Sequence, residues 1–467
     1  MKILSVIDTP LHIGKTIDLF GWIDTKRDHR KIVFLDIRDR TGIVQVIGDE
    51  KMKSLTPESV VLIKGLVKKR PEKLINPKIP TGEIEIEVTS FEVLSKANTL
   101  PLPIDTDGHD IDEEVRLKYR YLDLRRDRMS KSLRLRSDYF QALRSELHER
   151  KFTEVETPML TKSTKEGARD FLVPSRLQQG KFYALPQSPQ QYKQLLMVAG
   201  VERYFQFARC IRDEDLRADR GFEHTQLDLE MSFVNRDEVM ATVEEIVKKA
   251  IHHVGGKLQH DTFPVIDYTD AISKYGQDKF ELRSEKEKEE NILAFAWVVN
   301  FPFFKKVNID DTAEVRDGKS GWTFTHNPFS MPKEEFLASH LSGSNIDKIQ
   351  TTQYDLVCNG YEAGGGSIRA HKPEILEATF KIMGYSKEET EENVGHMLEA
   401  FKYGTPPHGG IALGLDRHVM ILSGENSLKE SIAFPMSSGG KTAVMDAPSE
   451  VADSQLAELG ISVKPQD

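Results

Sequence analysis

Five short runs in the first hundred or so residues (17–23, 32–37, 43–47, 60–66 and 84–88) alternate apolar with polar side chains. Successive side chains of a strand point to opposite faces, so each run offers one face to a core and one to water. Turn residues such as Arg40-Thr-Gly42 and Pro80-Thr-Gly82 separate the runs, and no long helical period intervenes. Five strands in so short a stretch predict a small closed barrel. A Pro-rich, acidic segment follows, LPLPIDTDGHDIDEE at 100–114, with the composition of an interdomain linker. The expected division is residues 1–103 for the barrel, 104–115 for the linker and 116–467 for a second domain.

In that second domain Leu135, Phe140, Leu143 and Leu147 recur at roughly helical spacing, predicting an amphipathic helix over 134–151. It runs into Phe152-Thr-Glu-Val-Glu-Thr-Pro158, where β-branched residues and a proline predict an extended edge strand. Further strand-like runs (203–208, 295–299, 410–414) mix irregularly with helical ones (236–253, 387–402). Doubly wound folds alternate regularly, so the pattern predicts an α+β domain on an antiparallel sheet flanked by helices. The very polar run at 281–291 reads as an exposed loop.

At 467 residues the chain can form two or three domains with sizeable cores. No apolar run nears the ~18 residues of a membrane span. The start, MKILSVIDTPLHIGKT, lacks the apolar core of a signal peptide, so a cytoplasmic location is expected. Cys210 and Cys358 are expected to be buried thiols, because two isolated cysteines make neither a disulfide framework nor a zinc site. A net charge of −10 argues against a surface that attracts nucleic acid everywhere. Two basic clusters stand out, residues 26–31 and residues 116–136, the latter with nine Lys/Arg against two Asp.

The segment Cys210-Ile-Arg-Asp-Glu-Asp-Leu-Arg-Ala-Asp-Arg220 and the later Gly414-Leu-Asp-Arg417 each set an arginine beside carboxylates at the edge of an apolar stretch. Arginine's planar fork grips phosphate bidentately, so two such arginines suit a nucleoside triphosphate held at both ends. No G-x-x-x-x-G-K-[ST] loop occurs to cradle phosphates instead. Arg212 is expected on the α-phosphate, with Glu214 two residues on along one strand face, and Arg417 at the far end of the triphosphate. Glycines in His408-Gly-Gly-Ile-Ala-Leu-Gly414 would let a nucleotide approach the backbone. Asp355 and Glu362 suit a Mg²⁺ that bridges phosphates.

These two segments look like motifs 2 and 3 of the class II aminoacyl-tRNA synthetases, and 134–158 resembles motif 1, whose family role is a homodimer interface. Glu166-Gly-Ala-Arg-Asp170, Gln187-Ser-Pro-Gln190, Gly360-Tyr-Glu-Ala-Gly-Gly-Gly-Ser-Ile-Arg369 and Tyr403-Gly-Thr-Pro-Pro-His408 resemble the bacterial aspartyl-tRNA synthetases in order and wording. The similarity spans nearly the whole chain and implies an OB-fold anticodon-binding barrel before a catalytic domain that joins L-aspartate to tRNA-Asp with ATP and Mg²⁺. Arg212, Glu362 and Arg417 would be catalytic. Lys193 and Arg369 would face the side-chain carboxylate of aspartate, with Asp228 holding Lys193. Glu166, Ser188, Gln190 and His326 would hold the amino group and close the pocket, with Gln191, Tyr192 and Arg212 alongside. Asp213, Glu214, Gly221, His224, Gln226, Glu362, Gly414, Leu415 and Asp416 would line the ATP site with the two arginines, Gln226 on its adenine side. Phe34 matches an aromatic on which an anticodon base stacks, Arg27 and Gln45 match its hydrogen-bonding neighbours, and the basic clusters read as phosphate contacts.

Three departures qualify the resemblance. The extra domain usual between motifs 2 and 3 shrinks to the stretch near 281–294. The motif 2 loop reads Arg220-Gly-Phe-Glu-His-Thr-Gln226, so Gly221 replaces a glutamine and His224 replaces the phenylalanine expected on adenine. An imidazole that titrates near neutrality would make ATP affinity pH-sensitive. His29, with Gly82 at a second region, resembles the non-discriminating enzymes that also charge tRNA-Asn; a leucine at His29 would imply tRNA-Asp alone. A related asparaginyl enzyme is disfavoured by Lys193 with Arg369, and an asparagine synthetase by the barrel. A non-catalytic RNA-binding paralogue is disfavoured by the presence of Arg212, Glu362 and Arg417.

Overall fold

The computed structural model describes residues 4–29, 31–164 and 166–464. They fall into two units, 1–103 and 104–467. In the first, β1 (Thr16–His29), β2 (Ile32–Asp39), β3 (Gly42–Gly48), β4 (Val60–Lys69) and β5 (Ile84–Ser95) close a barrel in the order β1-β2-β3-β5-β4. The alternation works as the sequence implies: Leu19, Ile23, Val33, Leu35, Ile37, Val44 and Val46 form the interior. Phe34, between buried Val33 and Leu35, is on the outer face.

The second unit opens with short helices α1 (Glu113–Lys118) and α2 (Arg120–Asp123), then the long α3 (Asp127–Glu149), strand β6 (Thr153–Glu154) and the hairpin β7 (Leu172–Pro174) with β8 (Phe182–Ala184). Next come α4 (Gln190–Val198), β9 (Arg203–Ile211), β10 (Glu223–Ser232), α5 (Arg236–His253), β11 (Val265–Asp267), α6 (Tyr268–Tyr275), α7 (Glu285–Glu289) and β12 (Phe295–Val299). A second hairpin, β13 (Phe304–Lys306) and β14 (Trp322–Phe324), encloses α8 (Thr312–Asp317). The chain continues through α9 (Leu337–Ser342), β15 (Tyr354–Cys358), β16 (Tyr361–Ile368), α10 (Pro373–Ile382), α11 (Lys387–Phe401), β17 (His408–Gly414), α12 (Leu415–Leu422) and α13 (Asp453–Glu458). Eight strands form one sheet, ordered β11-β12-β15-β16-β17-β10-β9-β6, antiparallel except at its two edges. Helices α3, α5 and α12 bury their apolar stripes on it. The expected antiparallel sheet is therefore mixed, because β6 and β11 add parallel edges.

Several local expectations change. The extended strand after α3 is only two residues long. The polar run at 281–291 contains a helix, since Ser284 caps α7 and Glu287 returns the bond. The segment 104–112 is not a free linker: Arg126 donates to the Thr106 carbonyl at 2.8 Å and Arg128 to the Asp107 carbonyl.

The largest correction concerns the basic cluster at 116–136. Arg116, Arg120 and Arg126 are buried, and all three converge on Asp123, at 3.0, 2.7 and 2.7 Å. Glu430 takes Arg116 from the other side, and Arg120 donates to the carbonyls of Ile432 and Ala433. These three arginines fasten the start of the domain to its C-terminal segment and are not phosphate contacts. Burial alone would raise the Asp123 carboxyl, but the arginines hold it below its ordinary value. Asp123→Ala would leave three buried guanidinium groups without their shared anion. Urea unfolding is expected to show a loss of about 3–5 kcal/mol; an unchanged midpoint would mean that Glu430 and the carbonyls suffice.

Candidate active site

Strand β10 points Gln226, Asp228 and Glu230 to one face, because alternate residues of a strand share a side. Helix α4 brings Lys193 to them, and Arg369 follows the end of β16. Lys193 Nζ stands 2.7 Å from Asp228 and 3.4 Å from Glu230. Arg369 donates from Nε and Nη2 to the two oxygens of Glu230 at 2.8 and 3.2 Å, and from Nη1 to Ser367 Oγ at 2.9 Å. All four charged groups are at most 2% exposed. Two cations and two anions thus form a neutral cluster, which is what allows them to be buried. Burial opposes the charge of Glu230, yet Arg369 and Lys193 lower its pKa.

The sequence reading assigned Lys193, Asp228 and Arg369 but missed Glu230. Its signal was present: an acidic residue two positions after Asp228 on the same strand face. Lysine has three N–H donors and arginine five. Among the described residues these bonds leave two donors of Arg369 and at least one of Lys193 without a protein acceptor. A carboxylate offers only acceptors to them, whereas an amide would also press N–H donors against donors.

Beyond the cluster, Ser188 donates to Glu166 at 2.6 Å, and Arg212 Nε donates to the Gln187 carbonyl at 3.2 Å. Burial raises the Glu166 carboxyl despite Ser188 and Arg212. Glu166, Arg212, Asp213, Glu214 and His326 line an open cavity of about 650 Å³. Arg417 Nη1 donates to the Glu362 carbonyl at 2.5 Å, and its Nη2 to the Asp219 carbonyl at 3.1 Å. Buried polar atoms normally find partners. Here Gln190 Nε2, Asp228 Oδ2, His326 Nδ1, Gln353 Oε1 and Arg417 Nε find none. Among the described residues these are five of eleven such atoms, and all five sit on residues assigned to the site or, for Gln353, bonded to one of them.

Asp355 on β15 and Glu362 on β16 flank Gly365. A Cβ there would lie 3.0 Å from Asp355 Oδ1 and 3.5 Å from Glu362 Oε1. Each carboxylate faces a basic group: His326 Nε2 is 3.1 Å from Asp355, and Lys279 Nζ is 2.7 Å from Glu362. Burial works against both charges. Lys279 and Arg417 nevertheless bring Glu362 down to about 2, whereas Asp355 stays raised. The same Asp355 raises His326 against the effect of burial. Among the described residues no group of three or more His, Cys, Asp or Glu side chains is arranged to hold a metal ion by itself. Two carboxylates beside a bare glycine still suit Mg²⁺, which takes one or two carboxylates and completes its shell with phosphate and water.

The OB-fold nucleic acid binding domain family matches residues 17–94, and the tRNA synthetases class II (D, K and N) match residues 112–438. The chain belongs to the class II tRNA synthetases. It is 39% identical to the aspartate–tRNA(Asp/Asn) ligase of Corynebacterium jeikeium over 585 aligned positions, covering 98% of this chain and 97% of the relative. With the aspartate–tRNA ligase of Staphylococcus aureus it shares 36% over 578 positions, covering 98% of each. Both alignments are longer than the chain, so these relatives carry residues with no counterpart in it. An asparaginyl-tRNA synthetase from Pyrococcus horikoshii, solved with asparaginyl-adenylate, superposes with a TM-score of 0.74 at 23% identity, over 93% of this chain and 98% of that one. An aspartyl-tRNA synthetase from Entamoeba histolytica gives 0.71 at 21%, over 93% and 91%. At such identities these two show the fold alone.

Several residues of the synthetase differ from their expected placement. Strand β9 ends at Ile211, so Arg212 and Glu214 lie in the following loop, where Glu214 pairs with Arg220 at 2.9 Å. Asp213 bridges to Arg169 through backbone and side chain. Leu415 is a core residue, and Asp416 pins Arg136 and the Thr225 amide at 2.5 and 2.8 Å, so neither faces the cavity. The Tyr192 hydroxyl meets Thr161, on another side of α4 from Gln190 and Lys193. Gln191 is buried on the first turn of that helix. Gly410 serves the sheet and not a nucleotide: a Cβ there would lie 2.3 Å from Glu230 Oε2. A Cβ on Gly414 would make only ordinary contacts, 3.9 Å from the Ala363 carbonyl and from Arg417 Cβ, and Gly221 lines a separate 370 Å³ cavity with Arg217 and Phe222. On the barrel, Arg27 binds Asp36 at 3.0 Å and Gln45 at 3.3 Å, and lies opposite Phe34 in the β1–β2 register. His29 is exposed, its ring edge-on to Phe34 at 5.6 Å. Gly82 has a packing reason of its own, since a Cβ would meet the Asn76 carbonyl.

His224 reverses the expected pH sensitivity. Burial and the nearby Arg212, Arg417, Arg209 and Arg220 push its pKa well below the ordinary histidine value. A depressed pKa means protonation only in acid, so the ring stays uncharged through the neutral pH range. ATP affinity of the native protein and of His224→Phe, titrated by calorimetry, is expected to follow the same pH dependence across that range. Curves that diverge below pH 7 would show that the ring charges there.

Proposed function

We propose that this synthetase is an aspartate–tRNA ligase, activating L-aspartate with ATP and passing the aspartyl group to the 3′ end of tRNA. The observation that carries the proposal is the buried neutral cluster of Lys193, Asp228, Glu230 and Arg369 with its unused N–H donors. The side-chain carboxylate of aspartate would accept those donors. Glu166 and Ser188 would receive the ammonium, whose charge would favour the ionised Glu166. An oxygen of the α-carboxylate of aspartate would then attack the α-phosphorus with pyrophosphate leaving. Arg212 would neutralise charge on the α-phosphate, and Arg417 would hold the distal phosphates through its free Nε. Mg²⁺ would be held by Asp355 and Glu362 and would screen charge on the phosphates.

On the barrel, Phe34 would stack an anticodon base, with Arg27 and Gln45 beside it on the same outer face. With His29 at the rim, the proposal extends to tRNA-Asn as a second substrate. The relatives include both an aspartate–tRNA(Asp/Asn) ligase and an aspartate–tRNA ligase, so they favour neither choice. The protein would act in the cytoplasm as a homodimer joined along α3 and the open β6 edge, where an unpaired strand invites pairing.

Aspartylation of tRNA-Asp and tRNA-Asn transcripts, run side by side, tests the reading. Both are expected to be charged at comparable rates. Charging of tRNA-Asp alone would remove His29 from the argument, and charging of neither, without aspartate-dependent pyrophosphate exchange, would overturn the ligase. Two variants should separate the units. Glu230→Gln strands Arg369 and should lower kcat/KM for aspartate in pyrophosphate exchange by roughly 10²-fold or more. Phe34→Ala should leave exchange intact while costing about 1–3 kcal/mol of tRNA affinity.

A further inference from the structure

Between α6 and α7 the chain carries a cation to which the reaction just described assigns no task. Lys279 Nζ lies 2.7 Å from Glu362 Oε2. Its backbone is held in place by the next residue: Phe280 is buried, stacks on Tyr275 at 4.4 Å, and packs with Ala296, Val298, Phe301 and Val357. The Phe280 carbonyl also accepts the Gly360 amide at 3.0 Å, fixing this segment on the β15–β16 turn. Lys279 is thus delivered to the carboxylate by an anchored neighbour and does not reach it as a loose surface chain.

Exposure distinguishes this pair from Lys193 and its partners. The Lys193 side chain is 1% exposed, whereas those of Lys279 and Glu362 are 44% and 31% exposed. Water reaches the Lys279–Glu362 contact, so the ammonium can exchange with another cation. Glu362 and Asp355 repel across Gly365; Arg417 and His326 also favour the charged Glu362, but Lys279 alone of the three makes an ion pair with its side chain, His326 bonding to Asp355 and Arg417 to the Glu362 carbonyl. We infer that Lys279 is a positioning residue for Glu362: it occupies the place of the divalent cation, keeps the carboxylate aimed into the site while the metal is absent, and competes with the metal for it. The inference rests on Glu362 being a metal ligand, as proposed above. Its consequence is a low affinity for free metal, so that the cation enters chiefly together with nucleotide phosphates.

Mn²⁺, which favours the same oxygen ligands, reports on this directly in the full-length, nucleotide-free protein by electron paramagnetic resonance titration. Lys279→Met is expected to bind Mn²⁺ about two- to fivefold more tightly, the range of a half-exposed ion pair, with Lys279→Arg near the native value. Glu362→Gln should weaken Mn²⁺ binding in the same titration. Weaker binding in Glu362→Gln with no tightening in Lys279→Met would overturn the inference and leave the metal reading intact. Native affinity in Glu362→Gln would remove Glu362 as a ligand, and the inference with it.

Discussion

Four charges buried in the middle of a sheet must neutralise one another, and much of the catalytic unit is arranged so that they do. Desolvating an isolated carboxylate or ammonium costs several kcal/mol, and attraction between partners offsets this only when the geometry is tight. The required positions come from different elements: Lys193 from a helix, Asp228 and Glu230 from one central strand, Arg369 from the end of another. Glu230 has room only because Gly410 stands opposite it in the β10–β17 register. The proposed selectivity for a carboxylate would then follow from which N–H groups the internal pairing leaves over. The sheet, the glycine, the acids and the cations form one chain of dependence, and neither acid can be removed without stranding a cation.

The barrel was almost fully legible in the sequence, because a period of two carries both the strands and their buried faces. It even settles Phe34: a position between Val33 and Leu35 must point outward once those two point in. Motif wording located Lys193, Arg212, Glu362 and Arg369 in the catalytic unit. Glu230 was missed because no motif names it, although the strand period does. Asp416 was misplaced for the converse reason: a conspicuous motif word proved to be a structural pin.

Charge was the least legible property, since a sequence shows sign and not burial. The run 116–136 resembles a solvated or phosphate-binding face, yet Asp123 collects arginines from seven and three residues before it and three after. Such spacing places all of them around one carboxylate once two short helices and the start of α3 turn about it. The polar run at 281–291 misled in the same way. Its Ser284-x-x-Glu287 spacing is a capping signature that outweighs its loop-like composition.

The short α7 region bears on whether the site could depend on residues that the longer relatives possess and this chain lacks. Both flanks of α7 are tied to the sheet. Before it, Phe280 packs under β12 and bonds to the β15–β16 turn. After it, the Leu293 amide bonds to the Lys257 carbonyl and the Ala294 amide to Asn359 Oδ1. The groups that would meet aspartate, ATP and metal stand on α4, β10, β15 and β16, on the loops after β6, β8, β9, β14 and β16, and on α12. Their hydrogen bonds run among those elements. Among the described residues Lys279 is the contact from the α7 side that reaches a candidate ligand-binding carboxylate, and its own anchor, Phe280, belongs to the packed core of the unit. The geometry of the site is therefore supported from within this chain's own sheet and helices.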